Sequence, residues 1–163
     1  MRDESGFTLI EVLVTIVIIG ILIGIASPSA HDWLERYRVE GQIKQMYADL
    51  MTARVSAMEK NRVFFVTLGT NQYAVYEDTF PSPDGNGSPD FGAGQDRLVT
   101  LQTTHYALNY SGTSVNFFPN GLVSWSNGAI WVASAANPVS DCIALADTRI
   151  LMGKMNGSTC IVR

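Results

Sequence analysis
The chain has 163 residues, 47% of them apolar and 16% charged, with a formal net charge of −4 at neutral pH. Such a composition folds rather than staying disordered, and the length suits one globular domain plus an anchor. The acidic balance gives no general attraction to phosphate backbones, so nucleic acid is not the default partner.

Taken in chain order, the first predicted element is a helix in the apolar run from Phe7 to Ala26. Twenty residues at a rise of 1.5 Å span about 30 Å, the thickness of a bilayer's hydrocarbon core. Glu11 lies inside this run. A secretory signal peptide with "ASPSA" as cleavage site is one reading, although Asp3 and Glu4 outweigh Arg2 in the leader. A plain membrane anchor is a second, in which Glu11 costs roughly 2 to 4 kcal/mol. Neither gives the glutamate a purpose.

A third reading does. "GFTLIE", Gly6 to Glu11, followed by an unbroken apolar run, resembles the leader junction of type IV pilins and of the pseudopilins of type II secretion. The resemblance implies a leader of residues 1–6 cut after Gly6 by a prepilin peptidase, which also methylates the new amine of Phe7. It implies that Glu11 faces the terminal amine of a neighbouring subunit during assembly. An ammonium and a carboxylate at similar depth in a low-dielectric bundle remove each other's desolvation penalty. Gly20 and Gly24 form a GxxxG of the kind that allows close helix contact. Pro28 is expected to kink or open the helix by removing a backbone donor.

Residues 29–61 read as an amphipathic helix. Val39, Ile43, Met46, Leu50, Ala53 and Ala57 recur at spacings of three and four, while Glu35, Arg36, Lys44, Asp49, Glu59 and Lys60 take the other face. From residue 62 the period becomes that of strands. "RVFFVTL" and "QYAVYE" flank "GTN" as a hairpin, and "RLVTL", "HYALNY", "SVNFF", "LVSW", "AIWVAS" and "CIALA" follow as β-rich runs. Asn120-Gly121 and Asn127-Gly128 are turn signals. The fold class is therefore α+β, a long N-terminal helix and a mostly antiparallel β head over residues 62–163. "VNFFPNG", "ADLMTARVSAMEKN" and the long acidic loop of residues 77–97 resemble the minor pilin FimT and pseudopilin GspH branch of the same superfamily.

The acidic loop places Asp84, Asn86 and Asp90 at spacings suited to oxygen ligation of Ca²⁺, with Asp96 as a further ligand; Gly, Pro, Asn and Asp equally make ordinary turns. His31 and His105 are far apart and lack metal-ligand spacing, His31 reading as an interfacial residue and His105 as a strand residue. No G-x-S-x-G, Walker A or G-x-G-x-x-G element is present, so no enzyme is expected. Trp33 suits a membrane interface, and Trp125 and Trp131 read as core aromatics of strands. Cys142 and Cys160 form a disulfide if the head lies outside the cytosol, worth on the order of 3 kcal/mol.

The resemblance implies an inner-membrane protein with a periplasmic head that enters a filament. Its partners would be other pilin or pseudopilin subunits, the peptidase and methyltransferase, the inner-membrane assembly platform, and lipid before assembly. Some FimT-like minor pilins are similar to DNA receptors, and Arg149 and Lys154 are the basic residues here that could serve that alternative.

Overall fold
The computed structural model describes residues 6–83, 85–91, 95–112, 114–125 and 128–162, with the backbone alone for residues 25–30. It divides into two compact units, Met1–Glu35 and Arg36–Arg163. The helix α1 runs Leu9–Lys60 and continues through Pro28, which does not interrupt it. Among the described residues nine strands follow: β1 Phe64–Leu68, β2 Gln72–Glu77, β3 Arg97–Thr103, β4 Leu108–Tyr110, β5 Ser114–Phe117, β6 Gly128–Val132, β7 Cys142–Ala146, β8 Arg149–Asn156 and β9 Thr159–Val162. They form two antiparallel sheets, ordered β3-β2-β1-β5 and β4-β6-β7-β8-β9.

Within the second unit the six residues picked out by helical period are the buried ones. Val39, Ile43, Met46, Leu50 and Ala57 are wholly inaccessible, and Ala53 nearly so. They form one cluster with Phe64, Val66, Tyr73 and Val75 from the first sheet's early strands, Val115 and Phe117 from β5, and Ile130, Ile143, Leu145 and Ile150 from the second sheet. The strands that give two residues to the cluster, β1, β2, β5, β6 and β7, give them at alternate positions, as a pleated strand with one buried face must. Tyr47 and Met51 pack on the cluster's flank.

Local chemistry ends the helix. Asn61 adopts a left-handed φ of 53°, and the Arg62 N–H donates to the Ala57 carbonyl at 3.2 Å, the six-to-one bond of a Schellman cap. The predicted hairpin then forms, with Val66 opposite Val75. "LVSW" is not a strand: only Val123 bridges, to Phe117. The Pro119-Asn120-Gly121 turn takes up the preceding chain, Gly121 at φ +77° donating to the Phe118 carbonyl at 2.8 Å. The Trp125 indole lies against the backbones of Gly112 and Gly128. His105 belongs to the connection between β3 and β4 rather than to a strand, its ring edge-on to Tyr106 at 4.8 Å. Asn127 lies outside the described residues.

Candidate functional site
The first unit offers side chains without neighbours. Phe7 and Leu9 are 83% and 82% exposed, and Ile10, Val12, Leu13, Ile16, Ile19 and Ile23 are exposed as well. A row of Ile, Val and Leu of this length in water is unfavourable at roughly 25 cal/mol per Å² of apolar surface, so the surface calls for lipid or other helices. Among the described residues no helix is long and apolar enough to cross a membrane; the side chains of residues 25–30 fall outside that count.

Thr8 starts the helix. Its carbonyl accepts from the N–H groups of Glu11 at 3.1 Å and Val12 at 3.3 Å, and Glu11 stands in the first turn, where a carboxylate suits the positive end of the helix dipole. The Glu11 side chain is exposed and has no partner among the described residues. Chemically, the described residues of this unit form an apolar helix with one acceptor-only charge, Glu11, in its first turn.

The head is joined to its own part of α1 by polar contacts that periodicity did not reveal. Gln42 makes a two-way bond with the Tyr106 backbone, donating and accepting at 2.9 Å. The Val139 N–H donates to Glu40 at 2.8 Å, and the Tyr73 hydroxyl to Asp49 at 2.5 Å. Burial, then the Asp49 hydrogen bond and charge, push the Tyr73 phenol far above its ordinary value. Arg54 donates to the carbonyls of Gly121 at 2.8 Å and Thr148 at 2.9 Å. At the helix end, Glu77 of β2 receives Lys60 at 2.9 Å, Arg62 at 3.6 Å and also Arg97. Burial works to raise the Glu77 pKa, but the hydrogen bonds and charges of Lys60 and Arg97 outweigh it and the net direction is down.

The acidic loop connects β2 to β3, and its Asp78 and Asp96 side chains are buried. Asp96 accepts the N–H groups of Thr79 at 3.0 Å, Phe80 at 3.2 Å and Asp90 at 2.8 Å. Asn86 donates to Asp90 at 2.8 Å. Asp78 accepts from Gly87 at 2.7 Å and Asn86 at 3.2 Å; its carboxyl is nonetheless raised, first by burial and then by the charges of Asp96 and Asp90. These acids thus serve the loop's own backbone. Among the described residues no three acidic, histidine or cysteine side chains gather as a metal-holding group, and Asp84 lies outside them.

Cys142 and Cys160 are joined, with Cα atoms 6.0 Å apart. Arg149 and Lys154 both sit on β8 but five residues apart, an odd spacing that puts them on opposite faces of the strand. Lys154 donates to Asn137, whereas Arg149 is exposed and unpaired among the described residues. The structure does not bring these two cations together as one patch.

Residues 1–27 match the family model of the prokaryotic N-terminal methylation motif, and residues 42–148 that of type II transport protein GspH. Two curated relatives, both described as fimbrial protein from Pseudomonas aeruginosa, are 33% and 29% identical over 135 and 133 residues, each alignment covering 80% of this chain and 85% of the relative. Among solved structures, the minor pseudopilin EpsH from the type 2 secretion system of Vibrio cholerae shares the fold, with a TM-score of 0.52 at 10% identity over 71% of this chain and 95% of that one.

Proposed function
The chain belongs to the GspH family of type II transport proteins, within the type IV pilin and pseudopilin superfamily, and on that premise we propose that it is a minor subunit of a type IV pilus. The superfamily is structural rather than catalytic, and its members assemble with one another through the N-terminal helix. In this reading the leader is cut after Gly6, Phe7 is methylated, and the head lies in the periplasm until the helix leaves the inner membrane for a filament. The observation that carries it is the row of exposed Ile, Val and Leu with Glu11 near its start and no neighbour to cover it. A core of like helices is as apolar as acyl chains, so transfer from lipid costs little. The carboxylate then selects the position, since only a neighbour's amine at the same depth relieves its burial.

The pilus is preferred to a type II secretion pseudopilus on two supports: the fimbrial names of the two relatives and the Cys142–Cys160 disulfide, more typical of pilins than of H-type pseudopilins. The pseudopilus stands as the second reading, supported by the family model and by the fold of EpsH. The separation of Arg149 from Lys154 lends a DNA-uptake role no support.

The test is the intact mass and N-terminal sequence of the chain from sheared filaments, followed by Glu11→Val. A chain beginning at methylated Phe7 is expected, with the variant's incorporation reduced at least about 100-fold, as loss of a buried pair worth about 3 kcal/mol requires. A chain beginning at Ala30 or His31, or normal incorporation of the variant, overturns the reading.

A further inference from the structure
The face of the second sheet turned away from the helix is hollow. In β6 and β7 the core-facing positions carry Ile130, Val132, Ile143 and Leu145, while the opposite face carries Ala129, Trp131, Ala144 and Ala146. Strands stand about 4.8 Å apart, so β7 and β9, which flank β8, would be about 9.6 Å apart in a flat sheet. Cys142 of β7 and Cys160 of β9 instead have Cα atoms 6.0 Å apart. The sheet rolls at Gly153, which pairs with Cys142 on β7 and with Val162 on β9, and where a Cβ would stand 2.4 Å from the Ile161 carbonyl oxygen. β9 is thereby brought close to β6 as well as to β7.

The inward positions of a small rolled sheet are ordinarily filled by side chains. Here alanines form the floor, and a trough of about 430 Å³ remains between Trp131 on one side and Leu151 and Val162 on the other. Among the described residues Arg149 is the only charged one lining it, no carboxylate does, and the guanidinium has no partner. Ser158 and Thr159, at the other end of β8, also line it. The volume is that of small-molecule sites, and an apolar cavity with a few convergent polar groups is their usual chemistry.

We propose that this trough binds a small organic anion: a flat ring or short aliphatic body against the alanine floor and Trp131, with one oxyanion on the Arg149 guanidinium. The fork of guanidinium donors suits a carboxylate or a phosphate, and the ring face of Trp131 suits an aromatic body. The site is independent of the assembly helix and does not rest on the pilus reading.

The experiment titrates the full-length isotope-labelled protein in detergent micelles with naphthoate, naphthyl phosphate and the neutral naphthamide, following the amide shifts of Ala129, Ala144 and Ala146. Saturable shifts are expected for an anion, with binding about 10-fold or more weaker for naphthamide and for Arg149→Met. The tighter of the two anions identifies the oxyanion. Ala144→Leu, which fills the floor, is expected to abolish the shifts while the core amides of Ile130 and Ile143 stay in place. The proposal is overturned if neither anion shifts the three alanine amides saturably, or if naphthamide binds wild type as tightly as both anions do.

Discussion
Replacing Glu77 by Gln removes the charge that Lys60, Arg62 and Arg97 share while keeping the side chain's size. The carboxylate is 5% exposed, but its partners are 39%, 27% and 58% exposed and can recover water. The full 3 to 5 kcal/mol of a broken buried pair is therefore too much, and two lost charge-assisted hydrogen bonds, discounted for that solvation, leave about 2 kcal/mol. Because the folded pKa of Glu77 is depressed, its contribution is fully present above the usual glutamate value of 4.5 and disappears as pH falls through the lower folded value. Urea unfolding of the full-length protein in micelles, followed by tryptophan fluorescence, should show the variant about 2 kcal/mol less stable at pH near 7. The difference should shrink in acid, where the protonated glutamate resembles glutamine. An equal deficit at both pH values, or one below about 0.5 kcal/mol at neutrality, would refute the assignment of the stability to this charge cluster.

Gly153→Ala should cost about 1 to 3 kcal/mol, because its Cβ meets β9 backbone rather than a movable side chain; the same urea assay reads it, and a neutral outcome would mean that β9 can withdraw. Met46→Ala, at a wholly buried helix position, should cost about 2 to 5 kcal/mol. The paired change Cys142→Ser with Cys160→Ser should lower stability by about 3 kcal/mol, and thiol labelling of the unreduced wild-type protein should detect no free cysteine.

Helical period was legible because a single stripe of α1 meets both sheets: Val39 through Ala57 could be read off before any contact was known. The first hairpin was legible for a similar reason, its strands being rich in Val, Phe and Tyr around a short polar turn. β8 and β9 escaped notice because "RILMGKMN" contains Gly, Lys and Asn, which disfavour strands, and its pairing is imposed by β7 on one side and the disulfide-linked β9 on the other. Trp131 reads as core from sequence, yet it lines the trough, since alternation alone does not say which face of a sheet meets the helix. Charges were least legible. Spacing marked Asp84, Asn86, Asp90 and Asp96 as oxygen donors; it did not reveal that Asn86 donates to Asp90 and that Asp96 accepts the Asp90 N–H. The junction around Gly6, Phe7 and Glu11 was legible as a motif, because its function lies in an order of residue types rather than in a folded constellation.

The polar contacts along the helix form a series. From Arg36 onward, α1 is tied to the strands and their turns at Glu40, Gln42, Asp49, Arg54 and Lys60, with apolar side chains packed between. A pull applied to the helix along its axis would load these bonds in parallel, as rivets in a lap joint share shear, instead of peeling them open one by one. Arg54 holds turns next to both sheets, at Gly121 and at Thr148, so strain at that point is divided between the two layers rather than concentrated in either. A head fastened in this way would follow its helix as a unit under tension.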